Sequence, residues 1–97
     1  MKHGIRLVAS ADADLDYYGA HEQRVILDGI LKYLEVDADV ETNRRKQLRP
    51  NPVGPWVLRL GDYRVFYEVT PAGMVRVLAI GHKAHNELFI RGRRIEI

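Results

Sequence analysis

The sequence contains no cysteine. That single absence removes disulfides, thiolate catalysis and cysteine-type zinc sites together. It has no apolar run approaching the roughly 18 residues that a membrane helix needs. The opening Met1-Lys2-His3-Gly4-Ile5-Arg6-Leu7-Val8 lacks the long apolar stretch of a signal peptide, so a cytoplasmic location is the expectation. No internal repeat or low-complexity tract is present. The glycines are dispersed and none precedes a strong helix with Lys-Ser/Thr, which excludes a nucleotide-binding phosphate loop. No serine-centred nucleophile motif is visible. His82 and His85 are three apart, but no acidic cluster or further histidine completes a metal set.

What is present fits one domain spanning residues 1–97. The 46% hydrophobic and 29% charged fractions are ordinary for a globular chain, and 97 residues bury enough surface for one modest core. Charge is unevenly spread. Residues 1–43 hold four Lys and Arg against nine Asp and Glu, a net of −5. Residues 44–97 hold eleven against four, a net of +7. That polarity points to a basic working surface on the second half, with polyanions as the partner class.

Ile5 to Ala9 reads as a first strand. Ser10 is a candidate N-cap, and Asp12, Asp14 and Asp16 fall where acids favour the start of a helix over Ala11–Tyr18. Gly19 breaks it. A second helix is predicted over Ala20–Leu34, with Leu27, Ile30, Leu31 and Leu34 at i, i+3, i+4, i+7 as its apolar face. Arg44 to Leu48 is dense in cations and reads as a short strand or a loop. Three prolines and a glycine between Arg49 and Pro55 exclude helix. Trp56–Leu60, Tyr63–Val69 and Met74–Ile80 read as strands joined by Gly61-Asp62 and Thr70-Pro71-Ala72-Gly73 turns. Gly81 to Asn86 reads as a polar loop, followed by a terminal strand or hairpin around Arg91-Gly92-Arg93-Arg94. Consecutive strands with short turns pair antiparallel, and helices collected ahead of them cover one face. The fold class is therefore α+β: a strand, a helical hairpin, then a twisted antiparallel sheet of three to four strands.

Arg59 and Arg64 flank one turn, Arg76 lies on the next strand, and His82, Lys83 and His85 follow it. Together on the uncovered sheet face they would make a cationic surface rimmed by imidazoles. Arginine suits phosphate through its planar fork, and histidine moves protons near neutral pH. RNA cleavage at a 2′-hydroxyl needs those groups, and the inventory permits it without requiring it. Trp56, Tyr63 and Tyr67 fit core positions better than base-stacking ones.

The run Trp56-Val57-Leu58-Arg59-Leu60-Gly61-Asp62-Tyr63-Arg64-Val65-Phe66-Tyr67-Glu68-Val69, followed by Val75 to Ile80 and Gly81-His82-Lys83, closely resembles the RelE/ParE superfamily of toxins from bacterial toxin–antitoxin pairs. Leu48-Arg49 also fits. The resemblance implies a helical hairpin on an antiparallel sheet, toxicity, and a cognate antitoxin that wraps the domain and covers its basic face. In RelE-like members it implies ribosome-dependent mRNA cleavage; in ParE-like members, binding to DNA gyrase without RNA chemistry. The RelE-like reading comes first. It gives Arg64 and Lys83 the phosphate charge, His82 or His85 the protons, and Phe89 the stacking. Arg44, Arg45, Lys46, Arg49, Arg59 and Arg76 would dock RNA on the ribosome, with no cofactor and no metal. Phe89 falls where many active members have Tyr, and Trp56 and Val57 stand where a RelE-like nuclease has basic residues. A gyrase-binding toxin and an inactive relative that only binds its antitoxin remain open, as does the oligomeric state.

Overall fold

A computed structural model describes residues 2–97. A short strand, β1 (Ile5–Leu7), leads into α1 (Ala9–Asp16) and α2 (Ala20–Leu34). Six further strands follow: β2 (Arg45–Gln47), β3 (Trp56–Leu60), β4 (Tyr63–Val69), β5 (Val75–Ala84), β6 (Glu87–Ile90) and β7 (Arg93–Ile95). They form one sheet in the order β2-β3-β4-β5-β6-β7, each pair antiparallel. β1 departs from the expected pattern, because it pairs parallel with β5 from Ile5↔Val75 to Leu7↔Val77.

Side-chain alternation divides the sheet into two faces. Leu58, Leu60, Val65, Tyr67, Val75, Val77 and Ile80 point under the helices and are buried with Ile26, Ile30 and Leu34. Fully burying an aliphatic side chain of this kind is worth about 1.5–3 kcal/mol, which makes this face the main source of stability. Trp56 and Tyr67 stack within it, with ring centroids 6.0 Å apart. The Tyr67 hydroxyl, fully buried, donates to Ala38 O at 2.6 Å. The opposite face carries a small cluster of Val57, Phe66, Ala79 and Leu88 and no helix.

The apolar face of α2 is rotated from the one predicted. Ile26, Gly29, Ile30 and Leu34 are buried, whereas Leu27 and Leu31 are exposed. Gly29 is the reason: a Cβ there would lie 2.5 Å from Leu60 Cδ1, so the helix settles on β3 through its one residue without a side chain. The first helix also starts earlier than expected. Val8 rather than Ser10 is at its N-cap.

β5 changes neighbours along its length. β1 pairs with residues 75–77 and β6 with residues 82–84, on the same side. On that side the interval between them has no strand partner, and α1 fills it. Ser10 Oγ lies 3.4 Å from Leu78 O, and Asp14, one turn further along α1, accepts the Ile80 N–H at 3.0 Å. Asp14 is thus a buried acceptor completing the sheet, not a solvated acid favouring the helix start.

β5 also runs four residues further than predicted, to Ala84, and the expected polar loop is mostly strand. This corrects the reading of Gly81 to Asn86 and fixes which way His82 and Lys83 point. The turn is confined to His85 and Asn86, both in the left-handed region with φ 54 and 65°. The β6–β7 turn, Arg91 and Gly92, has φ 48 and 75°. Two left-handed residues between paired strands make the tight hairpin turn whose twist suits the sheet.

Candidate functional site

The open face of the sheet holds a cleft of about 570 Å³. Its cations are Lys46, Arg59, Arg64 and Lys83, and Asp62 is its one acid among the described lining residues. The strand registers place them there. Lys46 stands opposite Val57 on β2–β3, Arg59 opposite Arg64 on β3–β4, and Arg64 opposite Gly81 on β4–β5. Val57 and Phe66 form an apolar floor. Gly81 lies on the same face and supplies no side chain. A Cβ there would fall inside contact distance of Phe89 O and 2.9 Å from Ile90 Cγ1. The glycine of the Ile80-Gly81-His82-Lys83 run is therefore required by the close passage of β6.

Arg64 is half-buried, and its Nη1 donates to Gly61 O at 2.6 Å and Tyr63 O at 2.9 Å. That anchors the guanidinium over the β3–β4 turn and leaves Nε and Nη2 without a protein partner among the described residues. Those two nitrogens form the edge that grips a carboxylate or phosphate through two hydrogen bonds. Burial and then the neighbouring Arg59 push the Arg64 pKa below its ordinary value, with Asp62 opposing. The larger cause is burial; the smaller, Arg59, marks the close approach of two cations across the β3–β4 pair. His85 and Asn86, from the β5–β6 turn, line the same cleft.

The other predicted site residues do not converge there. His82 and Phe89 lie on the helix face. They are register partners stacked with centroids 5.8 Å apart, and the Tyr18 hydroxyl is 2.8 Å from His82 Nδ1. Whichever tautomer is present, one of the two imidazole nitrogens is occupied by Tyr18. Burial, followed by nearby Tyr17 and Tyr63 and the acids Glu22 and Asp14, raises the Tyr18 pKa well above the ordinary phenol value. His82 instead borders a second groove between the helices and the β3–β4 turn, with Tyr18, Tyr33, Tyr63 and Glu22; Asp62 and Lys83 stand at the rim between the two and line both. Tyr63 donates to Glu22 there at 2.9 Å.

The arginine cluster splits as well. Arg45 is committed to structure, donating from Nη1 to Tyr33 O at 2.7 Å and from Nε to Val40 O at 2.9 Å. Arg44 lies over the Tyr33 ring, 4.8 Å from its centroid. Arg76 is on the open face but is paired to Glu68 at 2.5 Å. Arg49 is exposed on the proline loop. Lys46 alone of that run reaches the cleft. Among the described residues, no group of three or more His, Asp and Glu is placed to hold a metal ion, and no helix is long and apolar enough to cross a membrane.

The fold is shared with known structures. The toxin–antitoxin complex RelBE2 of Mycobacterium tuberculosis contains a chain that superposes with a TM-score of 0.72 at 20% identity, covering 86% of this chain and 100% of that one. A chain of the archaeal RelE–RelB complex of Pyrococcus horikoshii OT3 superposes with a TM-score of 0.66 at 19% identity, covering 88% and 99%. No curated protein gives a significant sequence match. A family model described as the ParE toxin of the type II toxin–antitoxin system parDE matches residues 5–87. That span runs from β1 to the start of β6 and takes in the helical hairpin, the cationic strands and the Gly81 crossing. With the pattern matched over most of its length, the chain belongs to the ParE toxins of type II toxin–antitoxin systems.

Proposed function

We propose that this toxin acts by contact, gripping an acidic or polyanionic surface of its target with the cationic cleft and cutting no RNA. The observation that carries this is the division of the two faces. Arg64 and Lys83 are on the open face, while His82 and Phe89 are on the other, engaged with Tyr18 and each other. A phosphate held in the cleft has the sheet between it and those two side chains. A single acid or base group contributes about 10²–10⁴-fold, so the absence of His82 from the cleft, and with it the stacking ring of Phe89, weakens the case for chemistry there. DNA gyrase is the target that the ParE resemblance implies. The similar structures are complexes of toxin with antitoxin, which supports a cognate antitoxin as the partner that neutralises this chain. The test is gyrase supercoiling with the purified chain. Inhibition that Arg64→Ala abolishes supports the reading; unimpaired supercoiling at saturating toxin contradicts it.

One observation favours a second reading, ribosome-dependent mRNA cleavage. His85 lines the same cleft as Arg64 and Lys83, in a left-handed conformation that a bulky residue adopts at a cost. In that reading His85 handles the proton of the 2′-hydroxyl, with the cations on the phosphate and no cofactor. Codon-phased cleavage lost in His85→Ala would establish it.

A further inference from the structure

We propose that Asp14 and Arg91 form a latch between α1 and the C-terminal hairpin, and that this latch positions the far wall of the cationic cleft. Asp14 is 2% exposed. Its Oδ2 accepts the Ile80 N–H. Its Oδ1 has no aligned hydrogen bond and lies 2.9 Å from Arg91 Nε, in an ion pair. One buried carboxylate thus ties the middle of the sheet to the β6–β7 turn.

A second observation singles out Arg91. It occupies the first position of a tight turn with φ 48°, a place where glycine or asparagine sits without strain. The turn alone gains nothing from an arginine there. The side chain's ion pair with a buried acid is what that conformation provides. Tyr17, one turn of helix from Asp14, covers the other turn residue: a Cβ on Gly92 would lie 3.2 Å from the Tyr17 hydroxyl oxygen. Both turn residues thus sit against the C-terminal end of α1, Arg91 through its ion pair and Gly92 beside Tyr17.

The rest of the hairpin is held through β6, which pairs with β5 from His82↔Phe89 to Ala84↔Glu87, and through side chains on the open face. Leu88, Ile90 and Ile95 belong to the small cluster on the open face, with Val57 and Phe66, the floor of the cleft. Ile97, just beyond β7, borders the cleft beside Lys83 and the His85–Asn86 turn. A shift of the hairpin therefore moves the wall at Ile97 and the turn that carries His85, and loosens the packing of Leu88, Ile90 and Ile95 on a floor that stays in place. Asp14 touches no ligand in this scheme; it is a positioning residue acting through Arg91. The part of the proposal that concerns binding rests on the cleft being the working surface, and the mechanical part does not.

The test compares Asp14→Asn, Arg91→Asn and Arg91→Lys with the parent chain by amide hydrogen exchange. A fluorescein-labelled single-stranded oligonucleotide at low salt serves as the polyanion probe. Asparagine at 14 keeps an acceptor for Ile80 and loses the charge. Asparagine at 91 relieves the turn and leaves Asp14 in place. Amides of β6 and β7 should exchange about tenfold faster in both, as expected for the loss of one charge-assisted contact, with β3 and β4 unchanged. Arg91→Lys should retain most of the protection, and oligonucleotide binding should weaken in step with hairpin opening. Slower or unchanged exchange of the hairpin in Arg91→Asn overturns the latch, since relief of a strained turn alone predicts that result. Uniform acceleration through β3 and β4 overturns it too. Hairpin opening without weakened binding overturns the coupling to the cleft. Arg64→Ala is the control: if it leaves binding intact, the cleft reading and the coupling fall together, while the exchange data still decide the latch.

Discussion

Replacing Gly81 by alanine tests how closely the strands must pass to build the cleft. Gly81 is buried in β5 and has no left-handed backbone, so alanine meets no conformational penalty and the substitution isolates the steric effect. The new Cβ would sit inside contact distance of the Phe89 carbonyl oxygen, 2.9 Å from Ile90 Cγ1 and 3.3 Å from Leu88 Cδ1. The nearest obstacle is backbone and cannot rotate aside, so β6 must move away from β5. Forcing one extra methyl into a packed site costs about 1–3 kcal/mol. The stiffer unfolded chain returns about 0.4–1 kcal/mol. Because the obstacle is backbone, the cost falls at the top of that range and the net loss is about 2 kcal/mol, a fall in Tm of roughly 8–16 °C for a domain this small. Thermal melts followed by circular dichroism measure it. A Tm equal to or above that of the parent would refute the argument that Gly81 is fixed by the passage of β6.

Further outcomes follow from other contacts. Tyr67→Phe leaves the Ala38 carbonyl without its buried donor and should cost about 1–3 kcal/mol in urea titration; a neutral result would mean that water replaces the hydroxyl. Arg64→Ala should weaken oligonucleotide binding and flatten its salt dependence by about 0.7–1 on a log–log plot, one phosphate contact's worth; an unchanged slope would remove Arg64 from the anion site. Asp14 gives a pH prediction. Burial pushes its carboxyl above the ordinary value of 3.8, against the Ile80 N–H and Arg91. A folded-state pKa above the unfolded one means that the folded chain holds the proton more tightly. The stability tied to this titration is thus fully present below the ordinary aspartate value and is lost as pH rises through the raised one. The stability of the parent relative to Asp14→Asn should therefore decline as pH rises from about 3 toward 7. A difference that grows with pH would reverse the assigned direction.

The architecture was largely legible because its signals are local. Alternation marked β3 and β4, the Gly61-Asp62 turn joined them, and Gly19 separated the helices. What escaped was set by distant residues. The helix face depended on where Gly29 meets Leu60, and composition gives no register between a helix and a strand. Asp14 reads as a solvated helix acid, since nothing near it in sequence shows that β5 lacks a strand on the side away from β4 at Ile80. The polar run from Gly81 to Asn86 resembled a loop, yet pairing with β4 and β6 extends β5 through it. That one difference decides the site. In a loop, His82 and Lys83 can face the same ligand; in a strand, adjacent residues face opposite sides. Arg64, Lys83 and His85 meet in the cleft, and His82 and Phe89 do not.

With Arg64 and Lys83 on one face and His82 and Phe89 on the other, we propose a toxin that binds and does not cleave. Primer extension on a reporter mRNA after induction of the chain, beside an Arg64→Ala control, tests it most directly. Growth arrest with intact transcripts, relieved in the control, is the expected result. New codon-phased 5′ ends that vanish with Arg64→Ala would contradict it and return the chemistry to the cleft, with His85 as its base.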